Sequence, residues 1–438
     1  MTRRTLLKTA AYAAAATAIS YSRVYGANER INLALIGCGL RGRQVATLMA
    51  RVPDVSYVAV CDVSDDTIAS AKQASFVAKD AQGYKDFRKI LDSKDIAAIH
   101  LATPDHWHAI PTVLACAAGK DVYVEKPLSH NVREGRLMVE AARKHNRIVQ
   151  TGMQHRSAPH YKEVEDLVQS GAIGDVHFVR VTNYGGQYQQ IGYPDSDPPP
   201  GVDWDMYLGP APKVPYNRQR FQKTFRRFYD YAGGYITDFG AHRLDSVHQI
   251  MHDDRPLSAV GTGGLYVRFG IEDTPDVIQV TYEYKNWTLS YEGLQVNNFG
   301  AGPRMPNGRV PYGASGTFDR PHGEAFYGTK GTIFSDRVGY ELFPGARRGN
   351  MGEVKSVQGA DRTDLHVANF IDCVRSRKLP VADVEIGHKS STVCHLGNIS
   401  YRVGGRKIRW DADKEQITND VDAAKLLHRE PRKEWDVI

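Results

Sequence analysis

The chain has 438 residues, 42% of them apolar and 24% charged, with 40 Gly, 21 Pro and only 5 Cys. This composition excludes a disordered chain, a collagen-like fibre and a disulfide-framed miniprotein, and the length predicts two or three domains. Of the formal net charge of +6, four units come from Arg3, Arg4, Lys8 and Arg23, within a 26-residue stretch that has no acid; the remainder is nearly neutral and carries no basic footprint for nucleic acid.

The opening TRRTLLK (residues 2–8) runs into an Ala-rich stretch from Thr9 to Ile19 and then Val24-Tyr25-Gly26-Ala27, small or modest side chains that suit a signal peptidase. The pattern predicts a twin-arginine export signal over residues 1–26 and a periplasmic or otherwise exported mature protein. Its apolar run is too short and too Ala-heavy to span about 30 Å of hydrocarbon, and no later apolar stretch reaches about 18 residues, so no stable membrane anchor is expected. Twin-arginine export carries folded proteins, usually ones that collected a cofactor first. The leader therefore predicts a bound cofactor. Cys38, Cys61, Cys116, Cys373 and Cys394 are odd in number and form no CxxC pair; they read as buried thiols, with no metal site expected.

From Ile31 the chain reads INLALIGCGLRG, a short strand followed by Gly37, Gly39 and Gly42 in GxGxxG spacing and a helix from Arg43 to Arg51. The first glycine allows a tight turn, the second lets backbone approach a pyrophosphate, and the third lets helix and strand pack closely. The next strand, Tyr57 to Cys61, ends in Asp62, 20 residues after Gly42, where a carboxylate accepts from a ribose hydroxyl pair. Such an acid repels a 2′-phosphate, so NAD is expected before NADP, although Arg41 or Arg43 could reach round to one. Strands at Ala98–Ala102, Asp121–Val124 and Ile148–Gln150, separated by helices to Gly119 and over Val132–His145, complete an α/β Rossmann domain over residues 28–151. Its loops, Thr103-Pro104-Asp105-His106-Trp107-His108 and Glu125-Lys126-Pro127, leave the carboxyl ends of parallel strands, where doubly wound sheets bind ligands.

GCGLRG, ATPDHWH and VEKPL, in that order, resemble the Gfo/Idh/MocA family of dinucleotide-dependent sugar and polyol oxidoreductases, in a twin-arginine-exported branch. The likeness continues through GAIGDVHFVRV from Gly171, VDWDMYLGPAP from Val202, GGYITDFGAHRLD from Gly233, FYGTKGTIF from Phe326 and the segment from Asn369. It implies that Leu40 and Arg41 join the three glycines and Asp62 around NAD. It also implies cofactor contacts from Thr103, Pro104, Asp105, Trp107 and His108, from Glu125 and Lys126, and from Gln154; His106 and His108 are expected in the pocket rather than as bases.

Beyond Thr151, the segments Val176–Val181, Val277–Tyr282 and Trp287–Tyr291 alternate apolar and polar residues, which predicts an α+β domain over residues 152–438 with a largely antiparallel sheet. The resemblance implies one open sheet whose outer face serves a homodimer or homotetramer. Segments 192–216 and 297–323, rich in Pro, Gly and Asn, are expected as long loops. In GGYITDFGAHRLD a helix beginning near Gly234 would put Asp238, His242 and Asp245 at i, i+4 and i+7 on one face. An imidazole suits removal of a hydroxyl proton near neutrality, and a neighbouring carboxylate can orient it.

The family's catalytic set maps onto Lys126, Asp238 and His242. His242 is expected as base, Asp238 as its partner or relay, and Lys126 as the cation that binds the reacting hydroxyl. His155 and Arg156, together with Tyr184, Tyr188, Tyr235 and other tyrosines of that region, are candidates to line the sugar cleft. Three functions fit: hydride transfer between NAD and a secondary hydroxyl of a sugar, polyol or glycoside; redox-neutral, NAD-assisted glycoside hydrolysis; and non-catalytic sugar binding on the same fold.

Overall fold

The computed structural model describes residues 30–185, 192–296, 321–345 and 353–438. The leader, Tyr188 and most of the expected loop at 297–323 lie outside the described residues. Six strands, Ile31–Ile36 (β1), Val55–Cys61 (β2), Val77–Tyr84 (β3), Ala98–Leu101 (β4), Asp121–Val124 (β5) and Val149–Thr151 (β6), form a sheet in the order β3-β2-β1-β4-β5-β6. Every pair is parallel. β4 and β5 are buried along their whole length, as a sheet covered by helices on both faces requires. The strand order reverses between β1 and β4, so the loops after these two strands diverge and open a crevice at their carboxyl ends.

One covering helix comes from far along the chain. Thr363–Ser376 lays Val367, Phe370, Ile371 and Val374 against the β1, β2 and β5 residues Leu33, Tyr57 and Tyr123, tying the C-terminal part of the chain to the first sheet.

The second sheet contains Val176–Tyr184 (β7), Ser258–Gly264 (β8), Val277–Glu283 (β9), Thr288–Leu294 (β10), His322–Gly328 (β11), Gly331–Asp336 (β12), Gly339–Pro344 (β13), Lys355–Gln358 (β14), Ile408–Asp411 (β15) and Gln416–Ile417 (β16). Their order is β14-β13-β12-β11-β7-β10-β9-β8-β15-β16. Within it β7 and β10 run parallel, while the other pairings are antiparallel. The expected open, mostly antiparallel sheet is therefore present. On β9, Ile278, Val280 and Tyr282 turn inward and Gln279, Thr281 and Glu283 outward, the period-2 pattern of a half-covered sheet. The inward face packs under the helices Pro159–Gln169, Gly240–Met251 and Val384–Arg402 in the largest apolar cluster. All five cysteines are buried and unbridged. Among the described residues no helix is long and apolar enough to cross a membrane.

Candidate active site

The turn after β1 is built by steric need. Gly37 has φ +89°, and a Cβ there would lie 2.6 Å from the Ala102 carbonyl; one on Gly42 would lie 2.2 Å from the Gly37 oxygen. Among the described residues, a Cβ on Gly39 meets nothing within 4 Å. Gly39 also caps the helix Leu40–Met49 without any side-chain acceptor, so its first amides face open space suited to a phosphate. Leu40 stands 63% exposed at the edge of this turn.

Asp62 closes the turn from β2: its Oδ2 accepts from the Cys38 amide at 2.9 Å and its Oδ1 from Ser64 at 3.1 Å. The two arginines that could have met a 2′-phosphate both have side-chain partners, although Arg41 Nη2 has none among the described residues. Arg41 Nε donates to Glu125 Oε1 at 2.8 Å, and Arg43 donates to Cys38 O, Ser70 Oγ and Thr67 O. The residues present fit NAD: a cradle that a Cβ would fill, an acid at the second strand end, and the buried Thr103 Oγ1 and Gln154 Oε1, neither of which has a partner among the described residues.

The loop after β4 divides in role. Pro104 leads into Asp105, which is buried and pushed up to about 7 by that burial, with Arg226 and Lys126 pulling the other way. Trp107, expected on the cofactor, is a correction. Its indole N–H donates to the Met206 and Tyr207 carbonyls, and its ring meets Trp435 edge-on at 4.7 Å. The ring is a pin that holds the loop, and the nearby Tyr207 carbonyl holds His106 as well. The His108 nitrogens lie 2.7 Å from Pro127 O and 3.0 Å from Thr103 O, so this ring joins the two ligand-facing loops.

Lys126 follows β5 and Glu125 directly. Its Nζ donates to Asp238 Oδ1 at 2.5 Å and to the Asp238 carbonyl at 2.8 Å. Asp238 comes from the second domain, at the end of the helix Gly234–Asp238. Gly234 needs φ +73°, and a Cβ on Gly233 would meet Thr237 at 2.4 Å, which accounts for the glycine pair before this helix. Phe239, with φ −85° and ψ −33°, leads into the helix Gly240–Met251 that carries His242.

His242 is 4% exposed, and its Nδ1 has no partner among the described residues. Burial, then the Arg337 and Lys126 charges, hold the imidazole well below its ordinary value and hence neutral. Its ring stacks on His155 with centroids 5.1 Å apart. The expected Asp238–His242 pairing is corrected: Asp238 Oδ1 bonds Lys126 and, at 3.0 Å, Arg226 Nε. Burial pushes the Asp238 carboxyl up, but Arg226 and then Lys126 outweigh it and bring it to about 2. The third residue of the expected helix face, Asp245, instead holds Arg156 through both carboxylate oxygens at 2.9 Å.

Arg156 is thus a half-buried ion-pair partner of Asp245 rather than a donor held toward the cleft. Tyr184 is likewise drawn away, because its hydroxyl donates to Glu292 on the sheet at 2.5 Å. Tyr235 stays beside the site, its ring 5.4 Å from Phe239. Sequence reasoning missed Arg226 and Arg337. Arg337 Nε donates to His155 Nε2 at 2.8 Å, and its guanidinium lies 5.8 Å from the Phe239 ring; Lys126 Nζ lies 5.9 Å from the same ring. Neither arginine belongs to a motif with a period or spacing that marks it.

Together, a doubly wound sheet with a glycine cradle and a Lys/Asp/His group contributed by two domains define a dinucleotide-binding protein of the oxidoreductase type. Residues 31–153 match the NAD-binding Rossmann fold of the Gfo/Idh/MocA oxidoreductase family, and residues 158–261 and 341–437 match that family's C-terminal alpha/beta domain. The chain belongs to this family.

The myo-inositol 2-dehydrogenase of Thermotoga maritima is 25% identical over 310 residues, 70% of this chain and 76% of that protein. The levoglucosan dehydrogenase of Pseudarthrobacter phenanthrenivorans is 26% identical over 238 residues, 53% of this chain and 54% of that protein. A glycosyl hydrolase family 109 protein of Saccharopolyspora erythraea is 29% identical over 252 residues, 48% and 54% of the two chains; the chain spans about half the length of the last two relatives. A solved levoglucosan dehydrogenase in complex with NADH and levoglucosan superposes with a TM-score of 0.66 at 17% identity, covering 87% of this chain and 99% of that one. That likeness is one of fold.

Proposed function

We propose that the protein transfers hydride between NAD and a secondary hydroxyl of a sugar, polyol or glycoside. The observation that carries this reading is the meeting of Lys126, from a strand end of the cofactor domain, with Asp238 and the neutral His242 of the second domain. Bound NAD supplies the hydride acceptor. Lys126 donates to the reacting hydroxyl and favours its alkoxide, and the uncharged His242, with a ring nitrogen to spare, accepts the hydroxyl proton. Asp238 fixes the lysine. Names of relatives, myo-inositol 2-dehydrogenase and levoglucosan dehydrogenase, support a polyhydroxylated substrate. The twin-arginine pattern of residues 2–8 supports export after NAD is bound, and the half-covered second sheet supports self-association through its outer face.

A second reading, redox-neutral hydrolysis of a glycoside, is favoured by the likeness to a glycosyl hydrolase family 109 protein. Incubation of the full chain with NAD and a panel of aldoses, polyols and aryl glycosides separates the two. Growth of reduced nicotinamide with a sugar or polyol is the expected result. Catalytic release of aglycone without net reduced nicotinamide would replace it with the hydrolytic reading, and neither product with any member would reject both.

A further inference from the structure

One charged group in the cleft has no place in the Lys126/Asp238/His242 scheme. Arg226 lies in the 3-10 segment Gln222–Arg227, and its Nε forms an ion pair at 3.0 Å with the same Asp238 oxygen that accepts from Lys126 Nζ. A carboxylate oxygen shared by two cations neutralises neither one fully.

The chain builds a brace to hold Arg226. Its guanidinium rests 4.5 Å from the buried Phe225 ring. The next residue, Arg227, donates to Glu272 Oε1 at 2.7 Å, and its carbonyl accepts from the Asp273 and Thr274 amides. Glu272 Oε2 accepts from Arg268 Nη1 at 2.9 Å, and Arg268 Nη2 donates to Thr274 O at 2.9 Å. Asp276 gathers the amides of Tyr266, Val267 and Arg268. Arg268 and Glu272 are buried, 5% and 7% exposed, and a buried ion pair is seldom more stabilising than apolar packing. What this one does is stiffen the loop of residues 265–275. That loop touches the site at two points: Arg227, and Gly234, where a Cβ would lie 2.9 Å from Thr274 Cβ. It therefore fixes Arg226 and the start of the Asp238 helix relative to one another.

We propose that Arg226 is a positioning residue of the reaction: by sharing the Asp238 carboxylate it limits how far that carboxylate holds the Lys126 ammonium, so that the one lysine hydrogen Asp238 does not take stays directed at the substrate hydroxyl, and the Arg268–Glu272–Arg227 brace keeps it in register. This deepens the oxidoreductase reading and rests on it.

The test compares the full chain with its Arg226→Met, Arg226→Lys and Glu272→Gln variants by two readouts. With a sugar that the wild type oxidises, Arg226→Met is expected to lower kcat by about 10- to 100-fold at unchanged KM for NAD, Arg226→Lys to recover most of that loss, and Glu272→Gln to fall between. The second readout needs no turnover: acetylation of Lys126 by acetic anhydride at fixed pH, followed by peptide mass spectrometry. With Asp238 left to Lys126 alone, the lysine nitrogen is drawn onto that carboxylate and shielded by it, so Arg226→Met should slow this acetylation several-fold. Unchanged Lys126 acetylation in Arg226→Met overturns the proposal, as does a kcat loss that Arg226→Lys leaves unrestored. If the wild type oxidises no sugar, the oxidoreductase reading falls, while the acetylation rates still decide what Arg226 does to Lys126.

Discussion

The imidazoles of His155 and His242 lie ring over ring, and the tautomer of the first is fixed by its neighbours. Ser246 Oγ donates to the His242 carbonyl at 2.9 Å, so it accepts from His155 Nδ1, while His155 Nε2 accepts from Arg337. His155 has no nitrogen left to take a proton. His242 Nδ1 has no partner among the described residues, which supports His242 over His155 as the base of the proposed reaction.

His242→Ala should therefore lower turnover by about 10²- to 10⁴-fold while NADH affinity, read by fluorescence titration, stays near that of the wild type. Because burial and the Arg337 charge depress the His242 pKa, its basic form persists as pH falls, and the acid limb of kcat/KM should lie below the ordinary imidazole value of 6.5. A limb above that value would place the base elsewhere.

Two glycines of the turn should behave in opposite ways. Gly42→Ala drives a Cβ into the Gly37 oxygen and should lower the thermal midpoint as well as NADH binding. Gly39→Ala enters open space, so the midpoint should hardly move while NADH affinity falls by about tenfold or more, since the methyl occupies the approach of the pyrophosphate. Calorimetry beside an NADH titration checks both.

How far the sequence was legible follows from what each residue must touch. Gly37 and Gly42 face backbone whatever the ligand, and Lys126 stands directly after a strand buried along its whole length, so spacing locates the glycines, a strand end locates the Lys126 loop, and the family resemblance of the VEKPL motif gives Lys126 its expected role. β3 was missed because Lys79, Asp80, Gln82 and Gly83 are exposed on an edge strand that lacks an apolar run. The helix Thr363–Ser376 gave no sign that its apolar face covers β1 and β2, more than 300 residues earlier in the chain. The single helix expected from Gly234 is two, Gly234–Asp238 and Gly240–Met251, and Asp238 pairs with Lys126 and Arg226 rather than with His242. Arg226, from an irregular segment, competes for the carboxylate, and no periodicity announces it.

Arg156, first read as a cleft residue, should matter to stability. Asp245 has no exposed side-chain surface and takes Arg156 and Ser390 as partners. Arg156→Ala leaves that carboxylate buried without its cation and should cost about 3–5 kcal/mol, measured by urea unfolding; a loss under about 1 kcal/mol would mean that water replaces the guanidinium.

Acid should unfold the protein earlier than its carboxylates alone would. His100, His106 and His322 are lowered to about 3, and His248, His366 and His395 to about 4, chiefly by burial. Unfolded imidazoles take up protons near 6.5, whereas these folded ones do not, so stability is lost as pH falls from 6.5 toward 4. Asp105 and Glu324, raised to about 7 by burial, act in the opposite sense over that range, but the histidines outnumber them. The thermal midpoint should drop steadily between pH 6.5 and 4.5 as the unfolding free energy falls by up to several times about 1.4 kcal/mol per pH unit; a flat midpoint would contradict the neutral burial of these rings.

The central claim, that Lys126 and His242 serve hydride transfer at one nicotinamide, is tested most directly by isotope transfer. The full chain is incubated with NAD and a panel of sugars and polyols deuterated at carbon, and the recovered nicotinamide is analysed by mass spectrometry. Deuterium should pass from one of these substrates to the nicotinamide with the wild type, and to a far smaller extent with Lys126→Met and His242→Ala. Label transfer undiminished in both variants, or absent from the wild type with every member of the panel, would contradict the account.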